Sequence, residues 1–294
     1  MHFPHLGFCA FADGTPYTNE SYWASYVRVL LGIGYDHLQF LMPENEAQAR
    51  TINKIARESG LTGMHVLACT FGDACPMRKN NLALAQFGQF FDLMGILTDG
   101  FDDSSLFGPC FFRALGDPRK GLVEPDDVSK QADFLSRVVR LWETKGLPQM
   151  GLVAEPLARN ESLGPNTLRA AWDIIVKSGA TGQITLGADT HHVAWGAKKP
   201  VAQELVDFTA QLGRACHLSA NDRCDFTGNL LLRETLRGIA RSRSLVEKRI
   251  WSVEAFCKAT NPGFFDFLQI HYVPDCTAAQ LATACMAAIT QAML

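Results

Sequence analysis

The chain has 294 residues, of which 47% are hydrophobic and 19% are charged, a composition typical of a globular protein with one large domain or two small ones. Its formal net charge of −3 provides no basic surface for a polyanion, which argues against DNA or RNA as the main partner. No secretory signal pattern opens the chain, and no uninterrupted apolar run approaches the roughly 18 residues of a membrane span. Nine cysteines without a C-x-x-C pair favour reduced thiols over a disulfide framework. We therefore expect a cytoplasmic protein with no membrane partner.

Strand-like and helix-like segments alternate along the chain. The predicted strands lie at 5–11, 36–42, 62–69, somewhere within 98–112, 147–156, 182–189, 215–220 and 248–256. The predicted helices lie at 20–32, 44–60, 81–95, 126–146, 166–179, 200–213, 229–242 and 277–294. Eight such units predict an α/β fold, a single (β/α)₈ TIM barrel over residues 1–294. A doubly wound sheet is disfavoured because no G-x-G-x-x-G motif follows the first strand.

The last predicted helix, TAAQLATACMAAITQAML, carries no charged side chain. A surface helix normally needs a polar face, so this helix is expected to cover the barrel or to lie in a subunit contact. We expect a homodimer or a homotetramer.

Potential metal ligands follow four consecutive predicted strands: Glu155, Asp189, His217 and Glu254. Successive members are 34, 28 and 37 positions apart, about one strand–helix unit each. Because functional residues of TIM barrels lie at the carboxyl ends of strands, all four are expected at one rim. Taken singly, they are equally well explained as a turn cap, a buried histidine or a paired rim carboxylate. As a set, three carboxylates and one imidazole are hard, oxygen-rich ligands that suit Mn²⁺, with Mg²⁺ or Co²⁺ as alternatives.

Three more polar residues, Glu161, His192 and Arg223, follow the first three of these ligands by six, three and six positions. In isolation, Glu161 and Arg223 are typical of solvated loop charges. A metal at this rim can hold two neighbouring oxygens of a sugar and polarise its carbonyl. Beside such a metal, all three residues are candidates for binding substrate hydroxyls.

Four segments of the second half resemble the motifs of the ketose 3-epimerases, the tagatose and allulose epimerases of the xylose-isomerase-like TIM barrels. The segments are EPLARNE (155–161), GADTHHVA (187–194), HLSANDR (217–223) and EAF (254–256). The spacing inside each motif is kept, and the resemblance is strong from Gly151 to Phe256 and faint elsewhere. Two departures concern the sugar-facing positions: Ala158 stands where the family has asparagine, and Ser219–Ala220 replaces its Gly-Glu pair.

The resemblance implies metal-dependent epimerisation of a free ketose at C3 through a cis-enediolate. It implies that Glu155 and Glu254 form the acid–base pair as well as binding the metal together with Asp189 and His217. The substrate contacts that it implies are Glu161, His192, Arg223, Phe8 and Phe256.

Other activities of the same superfamily remain open because the sugar-facing residues depart from the family pattern. They are an aldose–ketose or inosose isomerase or dehydratase, and a C-glycoside deglycosidase-type lyase that acts on an oxidised sugar. An apurinic-endonuclease-like nuclease needs a multi-zinc cluster and a basic surface, which eight histidines and a charge of −3 do not favour. A sugar-binding barrel without turnover is disfavoured by the two glutamates. Phosphorylated substrates are disfavoured because no glycine-rich loop opens a helix after the last strands, with TNPGFF (260–265) as the one possible exception.

Overall fold

Eight short strands of three to six residues form the centre of the molecule. They are β1 His5–Cys9, β2 His37–Leu41, β3 Gly63–Leu67, β4 Asp103–Gly108, β5 Met150–Ala154, β6 Ile184–Leu186, β7 Ala215–Leu218 and β8 Ile250–Val253. The computed structural model describes residues 5–70, 75–76, 80–112, 125–158, 161, 164–219, 230–257 and 275–294. All eight strands lie inside the predicted ranges, and β4 is the strand that the sequence located only within 98–112.

The strands pair in parallel in the order β6-β5-β4-β3-β2-β1-β8-β7. The ring closes between β6 and β7 through two isolated bridges, Leu186 with Leu212 and Asp189 with His217. Three backbone hydrogen bonds accompany these bridges, and in one of them the N–H of His217 donates to the carbonyl of Ala188 at 2.7 Å. The predicted (β/α)₈ barrel is therefore confirmed.

Helices follow the strands and pack around the ring. The described helices are α1 Glu20–Ile33, α2 Glu46–Glu58, α3 Asn80–Leu97, α4 Pro125–Lys145, α5 Leu168–Ser178, α6 Thr190–Gly196, α7 Val201–Asp207, α8 Leu230–Arg241, α9 Arg243–Glu247 and α10 Ala278–Met293. Polar side chains cap several of them; Asn19, for example, accepts from the backbone N–H of Tyr22 at the start of α1. The structure differs from the predicted helices in two respects: α6 and α9 were not among them, and the helix predicted over 200–213 ends at Asp207.

The barrel has two apolar layers, because successive residues of a strand point to opposite faces of a sheet. One layer lies between the strands and the helices. The other fills the barrel and consists of Cys9, Phe11, Leu67, Phe107, Val153, Ala215 and Phe256. This alternation decides which residues of a strand face the barrel interior. Those near the carboxyl end of a strand can reach the functional rim.

Helix α10 lies on the outside of the barrel, next to α1 and α8. The hydroxyl of Tyr35 donates to the carbonyl of Ala282 at 2.9 Å, and Arg237 donates to the carbonyl of Ala292. One face of α10 is buried by these contacts, as expected for a helix that covers the barrel. None of the helices in the described ranges is both long and apolar enough to cross a membrane. No disulfide joins any two of the eight cysteines in those ranges.

Candidate metal centre at the carboxyl-terminal rim

Glu155, Asp189 and His217 come together at the carboxyl-terminal rim of the barrel. One ligand atom from each residue lies within 4.8 Å of the others, and all three side chains are buried. Glu155 directly follows β5, Asp189 lies just beyond β6, and His217 belongs to β7. The strand-end positions from which the sequence predicted a site therefore do converge.

The orientation of Asp189 is fixed by the unexpected helix α6. Asp189 is the N-cap of this helix, and its Oδ1 accepts from the backbone N–H of His191 at 2.6 Å. Thr190, the first residue of α6, accepts from the N–H of Ser219 at 2.9 Å and donates to its carbonyl at 2.8 Å. The chain after β7 is thereby fastened to the start of α6, which keeps Asp189 beside His217.

Glu254 approaches this group from β8 but stands outside the 4.8 Å cluster. Its Oε2 lies 3.8 Å from Nδ1 of His217, and its backbone N–H donates to the carbonyl of Leu218 at 3.1 Å. The hydroxyl of Ser219 lies 3.0 Å from Oδ2 of Asp189 and 3.3 Å from Oε2 of Glu254. Ser219, which the sequence marked only as a departure from the family pattern, can therefore donate to either carboxylate.

The electrostatics of the group favour a cation at its centre. Burial alone would lower the pKa of His217, but the carboxylates of Glu254 and Glu155 raise it to about 9. Burial alone would raise the pKa of Glu155, yet the neighbouring His217 and His192 together outweigh burial and lower it. Oε1 of Glu155 and Nδ1 of His217 lie 3.4 Å apart, and neither has a hydrogen-bond partner among the described residues. Two buried ligand atoms that face each other without a partner are what a divalent ion would satisfy.

His192 connects the candidate centre to Glu161. Its Nε2 lies 3.0 Å from Oε2 of Glu161, and its Nδ1 lies 3.4 Å from Oε1 of Glu155. Both His192 and Glu161 have side chains only 4% exposed, so neither is a solvated loop charge. His191, the other histidine of the pair, is also buried. The structure thus brings Glu161 and His192 to the site.

The remaining predicted contacts have different outcomes. Phe256 is buried in the cluster that fills the barrel. Phe8 does not reach the site: its ring packs against Tyr35 with 5.1 Å between centroids, in the layer between strands and helices. The next residue of the strand, Cys9, faces the barrel interior instead. The predicted substrate contact of Phe8 is therefore wrong, because adjacent residues of a strand point to opposite faces. Arg223 lies outside the described residues, as does the segment 260–265.

Sequence reasoning also missed Gln39, the central residue of β2. Its Oε1 lies 2.6 Å from Nε2 of His217, and both side chains are fully buried. The Sγ of Cys9 donates to the same oxygen at 3.2 Å. The residues of this contact are 178 positions apart, so a local motif could not reveal it; a lone glutamine in a buried strand was the available signal.

Comparisons with known proteins bear on the fold. No protein-family model and no curated protein sequence matches this chain. The solved structure of an L-ribulose 3-epimerase aligns with a TM-score of 0.82 at 17% identity, covering 99% of this chain and 95% of that chain. D-allulose 3-epimerase from Methylomonas sp., in complex with D-allulose, aligns with a TM-score of 0.80 at 15% identity, covering 99% and 98%. A 3-keto-D-glucoside 4-epimerase from E. coli aligns less well, with a TM-score of 0.61 at 18% identity, covering 84% and 91%.

These likenesses support the TIM-barrel fold that the strands and helices form. The resemblance to ketose 3-epimerases that the sequence motifs predicted is confirmed in the fold, over nearly the whole chain. At identities below 20% the likeness concerns the fold, and activity must be argued from the site itself.

Proposed function

We propose that this chain is a divalent-metal-dependent sugar epimerase that inverts C3 of a free ketose through a cis-enediolate. The observation that carries the proposal is the buried Glu155–Asp189–His217 group at the catalytic rim of the barrel. Support also comes from the barrel's likeness to epimerases named for L-ribulose and D-allulose. A buried cluster of two carboxylates and an imidazole is costly for stability alone, because each ion loses its hydration. A functional role explains why the chain keeps it.

Glu155, Asp189, His217 and Glu254 would hold the ion. Their donor set of carboxylate oxygens and one imidazole nitrogen suits Mn²⁺, with Mg²⁺ or Co²⁺ as alternatives. The bound ion supplies Lewis-acid polarisation of the substrate carbonyl, which makes the neighbouring C–H bond more acidic.

Glu155 and Glu254 are the proposed acid–base pair. They project from β5 and β8, which are separated around the ring by β6 and β7. One carboxylate takes the proton from C3; the electron pair of the broken C–H bond forms a C2–C3 double bond, and the π electrons of the C2 carbonyl move onto O2. The other returns a proton to the opposite face of C3 as the carbonyl re-forms, so that the configuration is inverted. Burial and the different charges around each carboxylate can give the two glutamates different pKa values.

Glu161 and His192 are proposed to hold the sugar hydroxyls near the reacting carbon. Their mutual contact at 3.0 Å aligns both groups before a substrate binds, which reduces the ordering cost of binding. Phe256 provides an apolar wall within the barrel, and Arg223 is proposed as a further hydroxyl contact.

Metal binding is expected to raise the melting temperature. An ion at a thousandfold excess over its Kd stabilises the folded state by about 4 kcal/mol. At about 2 °C or more per kcal/mol for a chain of this size, Mn²⁺ should raise Tm by roughly 8 °C over the EDTA-treated protein. Asp189→Asn is the matched control, since asparagine still caps α6 but lacks the charge. A Tm that Mn²⁺ leaves unchanged in the wild type, or shifts equally in the variant, contradicts the site.

The activity is tested in D₂O with Mn²⁺-loaded protein and a panel of unphosphorylated ketoses, followed by NMR. We expect deuterium at C3 together with the C3 epimer, both lost on chelation. Exchange at C1 with appearance of an aldose would instead identify an isomerase. Absence of exchange with every free ketose would refute the proposal and direct the same assay to keto-glycosides.

A further inference from the structure

We propose that Gln39 is a positioning residue that holds the imidazole of His217 with Nδ1 directed at the metal. This inference rests on the proposed metal centre. Gln39 lies on β2, a strand that supplies none of the proposed ligands.

The contact is short and fully enclosed. Nε2 of His217 and Oε1 of Gln39 are 2.6 Å apart, and both side chains are 0% exposed. Water therefore cannot replace the amide as the partner of this nitrogen. A buried ring nitrogen that loses its hydrogen-bond partner retains the full cost of its desolvation.

The orientation of the Gln39 amide follows from a second donor. The thiol of Cys9 lies 3.2 Å from the same oxygen, so Oε1 accepts from two sides. An amide NH₂ in this place would face the imidazole without being able to accept from it. Nε2 of His217 therefore carries the hydrogen, and in the neutral ring Nδ1 carries the lone pair.

Nδ1 is the nitrogen that faces the proposed ligands. It lies 3.4 Å from Oε1 of Glu155 and 3.8 Å from Oε2 of Glu254. The ring of Phe107 packs against the imidazole at 4.2 Å between centroids, which restricts tilting of the ring. Packing alone does not fix which way the imidazole faces, because a half-turn exchanges Nδ1 with Cδ2 and Nε2 with Cε1 without changing the shape of the ring. The hydrogen bond that Nε2 donates to Gln39 does fix it.

The neutral amide also suits a site that is already rich in negative charge. Three carboxylates surround His217, and a fourth in place of Gln39 would add charge without adding a ligand. A histidine ligand commonly donates its other N–H to an acceptor that fixes its tautomer, and loss of that acceptor typically weakens metal binding 10- to 100-fold. Gln39 fulfils this requirement without changing the charge of the centre.

The first test measures metal affinity rather than turnover. Co²⁺ is titrated into metal-free protein by visible absorption, and Mg²⁺ by calorimetry, for the wild type, Gln39→Met and Gln39→Glu. Methionine preserves the length of the side chain without an acceptor, and glutamate restores the acceptor. We expect Gln39→Met to weaken Co²⁺ binding about 10- to 100-fold, with Gln39→Glu within about threefold of the wild type.

The second test reads the tautomer in the wild type and does not depend on a variant that folds. In ¹⁵N-histidine-labelled, Mg²⁺-loaded protein, the His217 signals should show a protonated Nε2 and a metal-bound Nδ1. A protonated Nδ1 overturns the inference, as does wild-type Co²⁺ affinity in Gln39→Met or equal losses in Gln39→Met and Gln39→Glu. Those results leave the metal centre standing if the wild type binds Co²⁺ and Mg²⁺. A wild type that binds neither ion refutes the proposed function, and this inference with it.

Discussion

Glu254→Gln is expected to reduce C3 deuterium exchange about 100- to 10,000-fold, the range typical for loss of a general acid or base. Glutamine preserves the shape of the side chain and an oxygen that Ser219 can reach, but it neither accepts nor releases a proton at neutral pH. The measurement is the initial rate of deuterium incorporation at saturating Mn²⁺, with bound metal quantified in the same sample. Quantifying the metal separates loss of the base from loss of a ligand.

Glu247→Gln is the matched control for this variant. Glu247 ends α9, is exposed, and pairs with Arg243 on the same helix, so its neutralisation should leave the exchange rate unchanged. If Glu254→Gln keeps more than a tenth of the wild-type rate with metal bound, Glu254 is not part of the acid–base pair.

Gly108→Ala is expected to be the most destabilising single-methyl change at the rim. Gly108 ends β4 with φ of 148°, a region that L side chains rarely adopt, and an added Cβ would lie 2.2 Å from the carbonyl oxygen of Ala68. Backbone strain and overpacking together are expected to cost about 3 kcal/mol or more. For a chain of this size that corresponds to a fall in Tm of roughly 6 °C or more.

Two other glycines separate the causes of this effect. Gly146 has a φ of 67° but open space around an added Cβ, and Gly182 has open space without a positive φ. Gly146→Ala should therefore show the backbone cost alone, and Gly182→Ala should be close to neutral. Equal Tm values for all three variants would contradict the steric argument.

Gly108→Ala should also impair the candidate metal centre. The carbonyl of Gly108 accepts from the backbone N–H of Glu155 at 3.1 Å, so a displaced Gly108 moves the strand end that carries this glutamate. We expect Gly108→Ala to weaken Mn²⁺ binding even at temperatures where the variant remains folded.

The architecture was predictable because each strand–helix unit carries its own signal. Apolar strands alternate with amphipathic helices, and one parallel ring accommodates eight such units. Glu155, Asp189 and His217 were predictable for the same reason, since each lies at a strand end and strand ends share a rim. Helix α6 was missed, although Asp189 and Thr190 are residues that often begin helices.

Residues inside the barrel were harder to predict. The sequence HLGFC is apolar or nearly so on both faces, so its alternation does not show whether Phe8 or Cys9 points inward. Gln39 and Ser219 act through contacts with His217, Asp189 and Glu254, which lie on other strands. Such partners depend on the register between strands, and one sequence does not specify that register.

The closure between β6 and β7 ties the assembly of the ring to the assembly of the candidate centre. Asp189 and His217 form one of the two bridges at this seam, so the residues that complete the circle of strands are themselves proposed ligands. An ion held by both would join the two sides of this seam. Opening of the barrel at this seam and release of the ion would then be a single event. The backbone N–H of His217 donates to the carbonyl of Ala188 across the seam, so its hydrogen-exchange rate would report on both.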